Sequence, residues 1–426
     1  MTQGEGTTYR PRSALAMLSV AAATVMAPHR ARASRWDGTD EPSSRWSTAA
    51  FRLASSLTDP VCRAHERYRL IPLVDVLHPD GSRMGNRVRQ CRLLAELCGY
   101  AVLAALVTIP GLILRHLASR LQKTPYLHLK SKGRAKTLGT DRAFSLLSWN
   151  VCCVGGGYPI SDGGVMPWRA RIEAIADTIL RHSADVVCLY EMFDSHAASY
   201  LADRLMQAGY VHCYHNIGPR ALGVNSGILV ASRYEVRTPE CTLFPVETLV
   251  GRTKSAAKGL FAFDLESDGA VFARVIATHL QHSEECMYPT REEQAARAAQ
   301  MQIIMERIAD RPALCTVVAG DLNLDDEEYR ASPWRPHFHK GDRYHDPRRT
   351  WGGDAFCARL VGKRVSGALN LDHIMLVAGS GRGIETFLVD PGYDAERFRP
   401  GALSDHGALL SRIFVEATFD TERTPS

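Results

Sequence analysis

The sequence has no paired-cysteine motif, no nucleotide-binding glycine motif and no internal repeat. Its eleven cysteines include no C-x-x-C pair, which excludes a zinc ribbon and a thioredoxin-type redox motif. Adjacent Cys152 and Cys153 read as filler at the end of a strand. The glycine run at 155–157 is not followed by the Lys-Ser/Thr of a P-loop, so it reads as a flexible loop over a cleft. A basic excess is missing from most of the chain: residues 141–426 hold 30 Lys+Arg against 37 Asp+Glu, while residues 1–140 hold 21 against 9. An acidic region of this kind lacks the cations with which a protein grips DNA through many phosphates. Apolar residues are not scarce. At 45% of 426 residues they exclude disorder throughout and suffice for a large core.

What is present falls into unlike regions, a basic one (net +12) and an acidic one (net −7). Arg10 and Arg12, an apolar run from Ala14 to Ala27 and Ala31-Arg32-Ala33 follow the order of a secretory signal over residues 1–33. The same segment is Arg-rich and acid-poor, as host-directed transit peptides are, and a frayed Ala-rich terminus is the plain alternative. Residues 1–90 as a whole read as a poorly ordered or loosely helical, Arg-rich lead-in. Within residues 91–120 the uncharged stretch Leu97 to Leu114 approaches the length that crosses a bilayer. It is expected to form a membrane-associated, single-pass helix. The larger number of Lys and Arg after it, through the basic linker 121–140, would put the acidic half on the cytoplasmic side. Pro110-Gly111 also allows a kink, a re-entrant hairpin or an interfacial helix, and a helix buried on the protein is the remaining reading.

Residues 141–420 alternate short apolar runs with amphipathic helices. Phe144–Trp149, Val186–Tyr190, Gly227–Ala231, Leu260–Phe263, Val271–Thr278, Cys315–Ala319, Asp372–Val377 and Ala408–Val415 read as strands from their β-branched and aromatic content. Trp168–His182 and Arg291–Arg311 repeat apolar residues at helical spacing. Many strands with few helices imply an α+β fold, a four-layer sandwich of two packed mixed sheets flanked by helices.

Polar residues stand directly at the ends of these strands. Asn150 closes SLLSWN, Glu191 follows VVCLY, His279 closes VIATH, Asp321 and Asn323 lie in GDLN, Asp372 opens LDHIMLV, and Asp405-His406 precede ALLSRIFV. Singly each satisfies a turn or packs in a core; together they mark one edge of a sandwich where side chains from distant segments meet.

In this order SWN, the Glu after an apolar strand, THLQ, GDLN, LDHI and SDH resemble the motif series of the endonuclease/exonuclease/phosphatase superfamily across residues 143–416. LYEMFD, with Glu191 and Asp194, and the THLQ beginning at Thr278 are similar to bacterial neutral sphingomyelinases. The resemblance implies Mg²⁺, with Mn²⁺ as the alternative ion, held by Asn150, Glu191 and Asp405. It implies Asp321 and His406 as the groups that activate water, Asp372 as the residue that orients His406, Asn323 as a positioning and substrate-binding amide, and His279 as a donor to phosphate or leaving group. Lys258, in a Lys-Gly pair before LFAF, would meet phosphate as a cation; an exposed loop lysine is its plain reading. Many nucleases of the superfamily carry Asp two positions after the Asn, where this chain has Cys152, and the departure favours the phospholipase-like branch.

The leading expectation is a phospholipase C-type, sphingomyelinase-like phosphodiesterase acting on a phospholipid headgroup at a membrane. A DNase-like or abasic-site nuclease acting on nucleic acid, a phosphoinositide phosphatase using Arg343, Arg348 and Arg349, and a membrane-tethered effector with a degenerate site are the alternatives. No protein partner is inferable.

Overall fold

The computed structural model describes residues 34–37, 41–122, 124–156, 160, 164–218, 224–285, 287–341, 348–352, 367–389 and 403–416. The targeting segment expected at 1–33, Gly157 and Arg343 lie outside them.

All eight strands expected from apolar runs form, with shifted ends: β3 (Ala143–Asn150), β4 (Val186–Tyr190), β6 (Leu229–Ser232), β8 (Gly259–Ser267), β9 (Ala270–His279), β10 (Thr316–Asp321), β14 (Asp372–Val377) and β16 (Ala408–Phe414). Further strands complete two seven-stranded sheets: β1 (Ser34–Asp37), β2 (Leu127–Lys130), β5 (His212–His215), β7 (Glu235–Leu243), β11 (Phe338–Lys340) and β15 (Gly383–Val389). One sheet runs β1-β7-β8-β9-β10-β14-β11 and the other β15-β16-β3-β4-β6-β5-β2; β12 (Trp351–Gly352) and β13 (Ala368–Leu369) pair separately. Among these pairings β9/β10 and β3/β4 are parallel and the others antiparallel.

The central strands are buried on both faces, and their alternation sorts side chains between layers. In β4, Val186, Cys188 and Tyr190 face the space between the sheets, where they meet Val317 and Ala319 of β10. Val187 and Leu189 point the other way, onto Ile175 and Ile179 of helix α3 (Ile172–His182) and Leu201 and Leu205 of α4 (Ser195–Gln207). On the far side Val318 meets Met301 and Ile304 of α5 (Arg291–Asp310), and the short α6 (Asp326–Ala331) adds Tyr329. The four layers expected from the sequence are these.

The N-terminal region is more regular than expected. Where a poorly ordered or loosely helical lead-in was expected, Arg45–Leu70 forms a 26-residue helix, α1, capped by Ser44 Oγ, which accepts from Ser47 N. Arg-rich composition and Pro60 within the helix blur its period in the sequence. The apolar segment belongs to a 39-residue helix, α2 (Arg83–Leu121), packed antiparallel along α1 with Gly111 at the tightest approach, where a Cβ would come within 2.7 Å of Leu57 Cβ. The expected linker 121–140 is also not a linker throughout: β2 pairs with β5, and Tyr126 is buried in the inter-sheet core. The sandwich therefore begins before residue 141.

Candidate functional site

Strand direction and register gather the polar residues at one lip. In the parallel pair β9/β10, His279 lies beside Asp321, and in the antiparallel pair β10/β14 Asp321 lies beside Asp372. In the other sheet Asn150 ends β3 beside Tyr190, so Glu191 follows at the same edge. The sheets meet there: Asn150 Nδ2 donates to Asp321 Oδ2 at 2.9 Å and lies 3.4 Å from His406 Nε2.

His406 is held from three sides. Its Nδ1 donates to Asp372 Oδ2 at 2.8 Å, its backbone N–H donates to Ser404 Oγ, and its carbonyl accepts from Trp149 Nε1. Its Nε2 then points toward Asp321 Oδ2 at 3.8 Å. Burial opposes a charge on this imidazole, yet the carboxylates of Asp372 and Asp321, the Asp372 hydrogen bond and Asp405 together hold its pKa well above the ordinary value. The pKa of Asp321 is raised as well: burial lifts it to about 6, against the lowering pull of His406. Asp372, His406 and Asp321 thus form a chain along which one proton is easily held or passed.

His279 is buried with neither ring nitrogen hydrogen-bonded, and its Nε2 stands 3.4 Å from Asp321 Oδ2. Burial first, and the charges of Lys258, His282 and His406 next, keep it neutral by lowering its pKa. Asn323 donates its backbone N–H to Asp321 Oδ1 at 3.1 Å, and its Nδ2 reaches the Leu280 carbonyl at 3.4 Å. Lys258 is not an exposed loop lysine: it is buried, its Nζ donates to that same Leu280 carbonyl at 3.1 Å, and burial lowers its pKa to about 7 against the raising charges of Glu191 and Asp321. Asp405 is half-buried at the rim, where its charge reinforces the effect of burial in raising the pKa of Glu191.

Three non-glycine residues at the lip hold left-handed backbone: Glu191 at φ 57°, Asn323 at 51° and Cys152 at 46°. Such conformations cost energy and collect at functional sites. Gly227 backs the first of them, since a Cβ there would come within 3.2 Å of Glu191 Cα.

The donor set fits a hard divalent cation. Glu191, His279 and Asp321 each offer a ligand atom, all within 4.8 Å of one another, and a second group joins Asp321, Asp372 and His406. Buried Asp372 Oδ1 and both His279 nitrogens make no hydrogen bond, and Glu191 stands against the like charge of Asp405. A cation among these carboxylates relieves that crowding, and oxygen-rich donors without thiolate suit Mg²⁺ or Mn²⁺.

Three supporting residues carry no signal in strand-end reasoning. Thr350 Oγ1 accepts from the backbone N–H groups of Leu371 (2.9 Å) and Asp372 (3.1 Å). Ser404 Oγ donates to the Asn150 carbonyl at 2.6 Å, tying the segment before His406 to β3. Buried Arg171 donates to the carbonyls of Val151, Cys152, Met166 and Leu403, stapling the same two segments. Of the sequence markers, Asp194 caps α4, accepting from His196 N and Ala197 N. Gly155 and Gly156 pack against Cys62 and His65 of α1, and the Gly156 carbonyl bonds His65 Nδ1. Arg349 pairs with Asp326 at 2.9 Å on the surface and Arg348 reaches the Leu388 carbonyl, so neither joins the lip.

Residues 147–406 match the Endonuclease/Exonuclease/phosphatase family. Among solved structures the fold is similar to SmcL (19% identity, 64% of this chain and 99% of that one, TM-score 0.51). It is similar to a doubly substituted beta toxin from Staphylococcus aureus with bound magnesium ions (17%, 64% and 99%, 0.50). Sphingomyelinase C from Streptomyces griseocarneus also aligns (20%, 63% and 99%, 0.49). No curated protein matches the chain.

Proposed function

The chain belongs to the Endonuclease/Exonuclease/phosphatase family of metal-dependent phosphodiesterases, and from that premise we propose that it hydrolyses a phospholipid headgroup by phospholipase C-type cleavage. One observation favours lipid over nucleic acid: α1, which bears the exposed apolar helix α2, packs through Cys62 and His65 on Gly155 and Gly156, five and six residues beyond Asn150, so the apolar helix and the site belong to one packed unit. The beta toxin structure with bound magnesium ions supports Mg²⁺ as the ion.

Glu191 is the first candidate to hold the ion, with Asn150 and Asp405 at its side. A cation held there would neutralise charge on the phosphoryl oxygens. The protein's own groups do the proton work. Asp321 and His406 face the same space from opposite sheets and are the two candidates to take the one proton of the attacking water, while Asp372 fixes the ring so that Nε2 is the nitrogen presented. His279 offers its ring to the phosphoryl or leaving oxygen from the third side. Lys258 and Asn323, joined through the Leu280 carbonyl, place a cation and an amide against the substrate.

The test is a substrate panel on the full chain, with sphingomyelin and glycerophospholipids in detergent micelles, abasic duplex DNA and phosphoinositides, each with Mg²⁺ and with chelator. Release of a phosphorylated headgroup that stops on chelation is expected. Cleavage of abasic DNA without headgroup release would instead assign a nuclease, and inorganic phosphate from phosphoinositides a phosphatase.

A further inference from the structure

The apolar stretch of α2 is long enough to cross a bilayer, and the window holding it is only 6% buried. Yet α1 lies along it from end to end. Arg67 Nε pairs with Glu96 at 2.6 Å, Arg63 Nη1 donates to Tyr100 Oη at 3.1 Å, Gly111 sits against Leu57 and Thr58, and Arg115 stacks over the Phe51 ring at 6.0 Å.

Helix α1 is unsuited to hydrocarbon. Asp59 pairs with Arg63 at 2.6 Å, Glu66 pairs with Arg169 at 2.9 Å, and Arg169 also bonds Asp59. The two Arg169 pairs, with Arg52 to Asp203 at 2.8 Å and His65 to Gly156, fix α1 to the catalytic sandwich. Were α2 to cross a bilayer, this charged network would enter the apolar layer with it, and membranes strongly disfavour that.

The exposed face of α2 has a different character. Val102, Leu106, Ile109, Ile113 and Leu117 recur every three or four residues and are 53–69% exposed. Exposed arginines, Arg83, Arg87 and Arg92 at one end and Arg120 at the other, bracket the stripe. An apolar stripe with basic ends is the pattern of a helix lying in the interfacial plane of an anionic membrane.

We propose that the α1–α2 hairpin is a monotopic anchor: α2 lies flat in an anionic lipid surface with this stripe immersed, and α1 is the polar clasp that holds the catalytic lip at that surface. Helix α2 does not pass through the membrane. This rests on the lipid reading for why the site belongs at an interface, but its test does not depend on catalysis.

The full chain is synthesised in the presence of sealed vesicles of equal phosphatidylcholine and phosphatidylglycerol, floated, and treated with a membrane-impermeant maleimide. Cys91, exposed on α2 ahead of the stripe, reports the topology by peptide mapping. For an interfacial helix it labels equally with and without detergent, from the same side on which added trypsin cuts the sandwich. The double variant Leu106→Glu, Ile113→Glu is expected to lower the floated fraction roughly tenfold with unchanged far-UV circular dichroism. Labelling of Cys91 only after detergent overturns the proposal in favour of a span. Failure of the parent chain to float, or flotation of the double variant equal to the parent's, overturns it as well. Headgroup release in micelles is measured separately, so loss of the lipid reading and loss of the anchor are distinguishable.

Discussion

His406 has its ring plane, backbone and hydrogen-bonding nitrogen each fixed by a different segment: β14 through Asp372, the 404 turn through Ser404, and β3 through Trp149. A side chain so constrained is arranged for one proton transfer, and a positioned acid or base contributes about 10²- to 10⁴-fold in rate. His406→Ala is therefore expected to lower kcat by that order while the thermal melt stays cooperative. Asp372→Asn should lower kcat as well, because an amide oxygen accepting from Nδ1 supports the imidazolium far less than a carboxylate does. If either variant loses activity only in step with its folded fraction, the role is structural. Glu191 predicts a different signature. Glu191→Gln removes the negative charge that would balance the cation, so the Mg²⁺ concentration for half-maximal activity should rise by at least about tenfold. That concentration should stay near the parent's in His406→Ala. A metal titration of both variants separates the ion's ligand from the proton carrier.

Elements differ in how plainly they show in sequence. The central strands were legible because β-branched and aromatic runs buried on both faces leave little else for such a segment to be, and the site residues were legible because they sit where those runs stop. Strands one place in from the sheet edges were not. His212–His215 reads HCYH, with no alternation to detect, and Glu235–Leu243 carries Pro239 and a register shift between Arg237 and Glu240. Arg171 was invisible for another reason: it acts through backbone carbonyls, which carry no sequence signal. Its loss should be costly. Arg171→Met removes the guanidinium donor from three buried carbonyls and the part-buried one of Met166, and at about 1–3 kcal/mol for a buried group left unpaired a net destabilisation of roughly 3 kcal/mol is expected, read by urea unfolding. Activity should fall with it, since 151–152 and 403 flank Asn150 and Asp405. The β2/β5 edge adds a pH dependence. Burial, with His212 nearby, lowers the pKa of His128 to about 4, and burial lowers that of His215 to about 3, from an ordinary 6.5. The unfolded chain then binds more protons than the folded one below pH 6.5, so stability present above that pH is lost as pH falls toward 4. At 1.36 kcal/mol per pKa unit, His128 alone contributes on the order of 3 kcal/mol. Unfolding free energies at pH 7.5 and pH 5 should differ in that direction, and His128→Gln should flatten the dependence.

At the scale of the whole chain, the basic and acidic halves are not separable modules joined by a linker. Tyr126 is fully buried, edge-on to Tyr214 at 5.4 Å and to Phe261 at 5.5 Å, and so bridges the two sheets. Leu127 to Lys130 then covers β5, whose backbone would otherwise be an open edge. A chain begun at residue 141, where the composition changes, loses both. Truncating a buried aromatic costs about 3–5 kcal/mol, and an uncovered strand recruits other chains. A chain begun at residue 124 keeps Tyr126 and β2 while still lacking the hairpin. The expected order of unfolding free energy is therefore full chain, then 124–426, then 141–426, with the largest single drop at the second truncation and with association of 141–426 visible by light scattering. Equal stability of the two truncated chains would show that the sandwich closes without its N-terminal strand. If 124–426 keeps micellar hydrolysis while losing vesicle binding, the basic half serves to bring the site to lipid; if hydrolysis falls in both assays, the clasp of α1 on the loop after Asn150 also shapes the site itself.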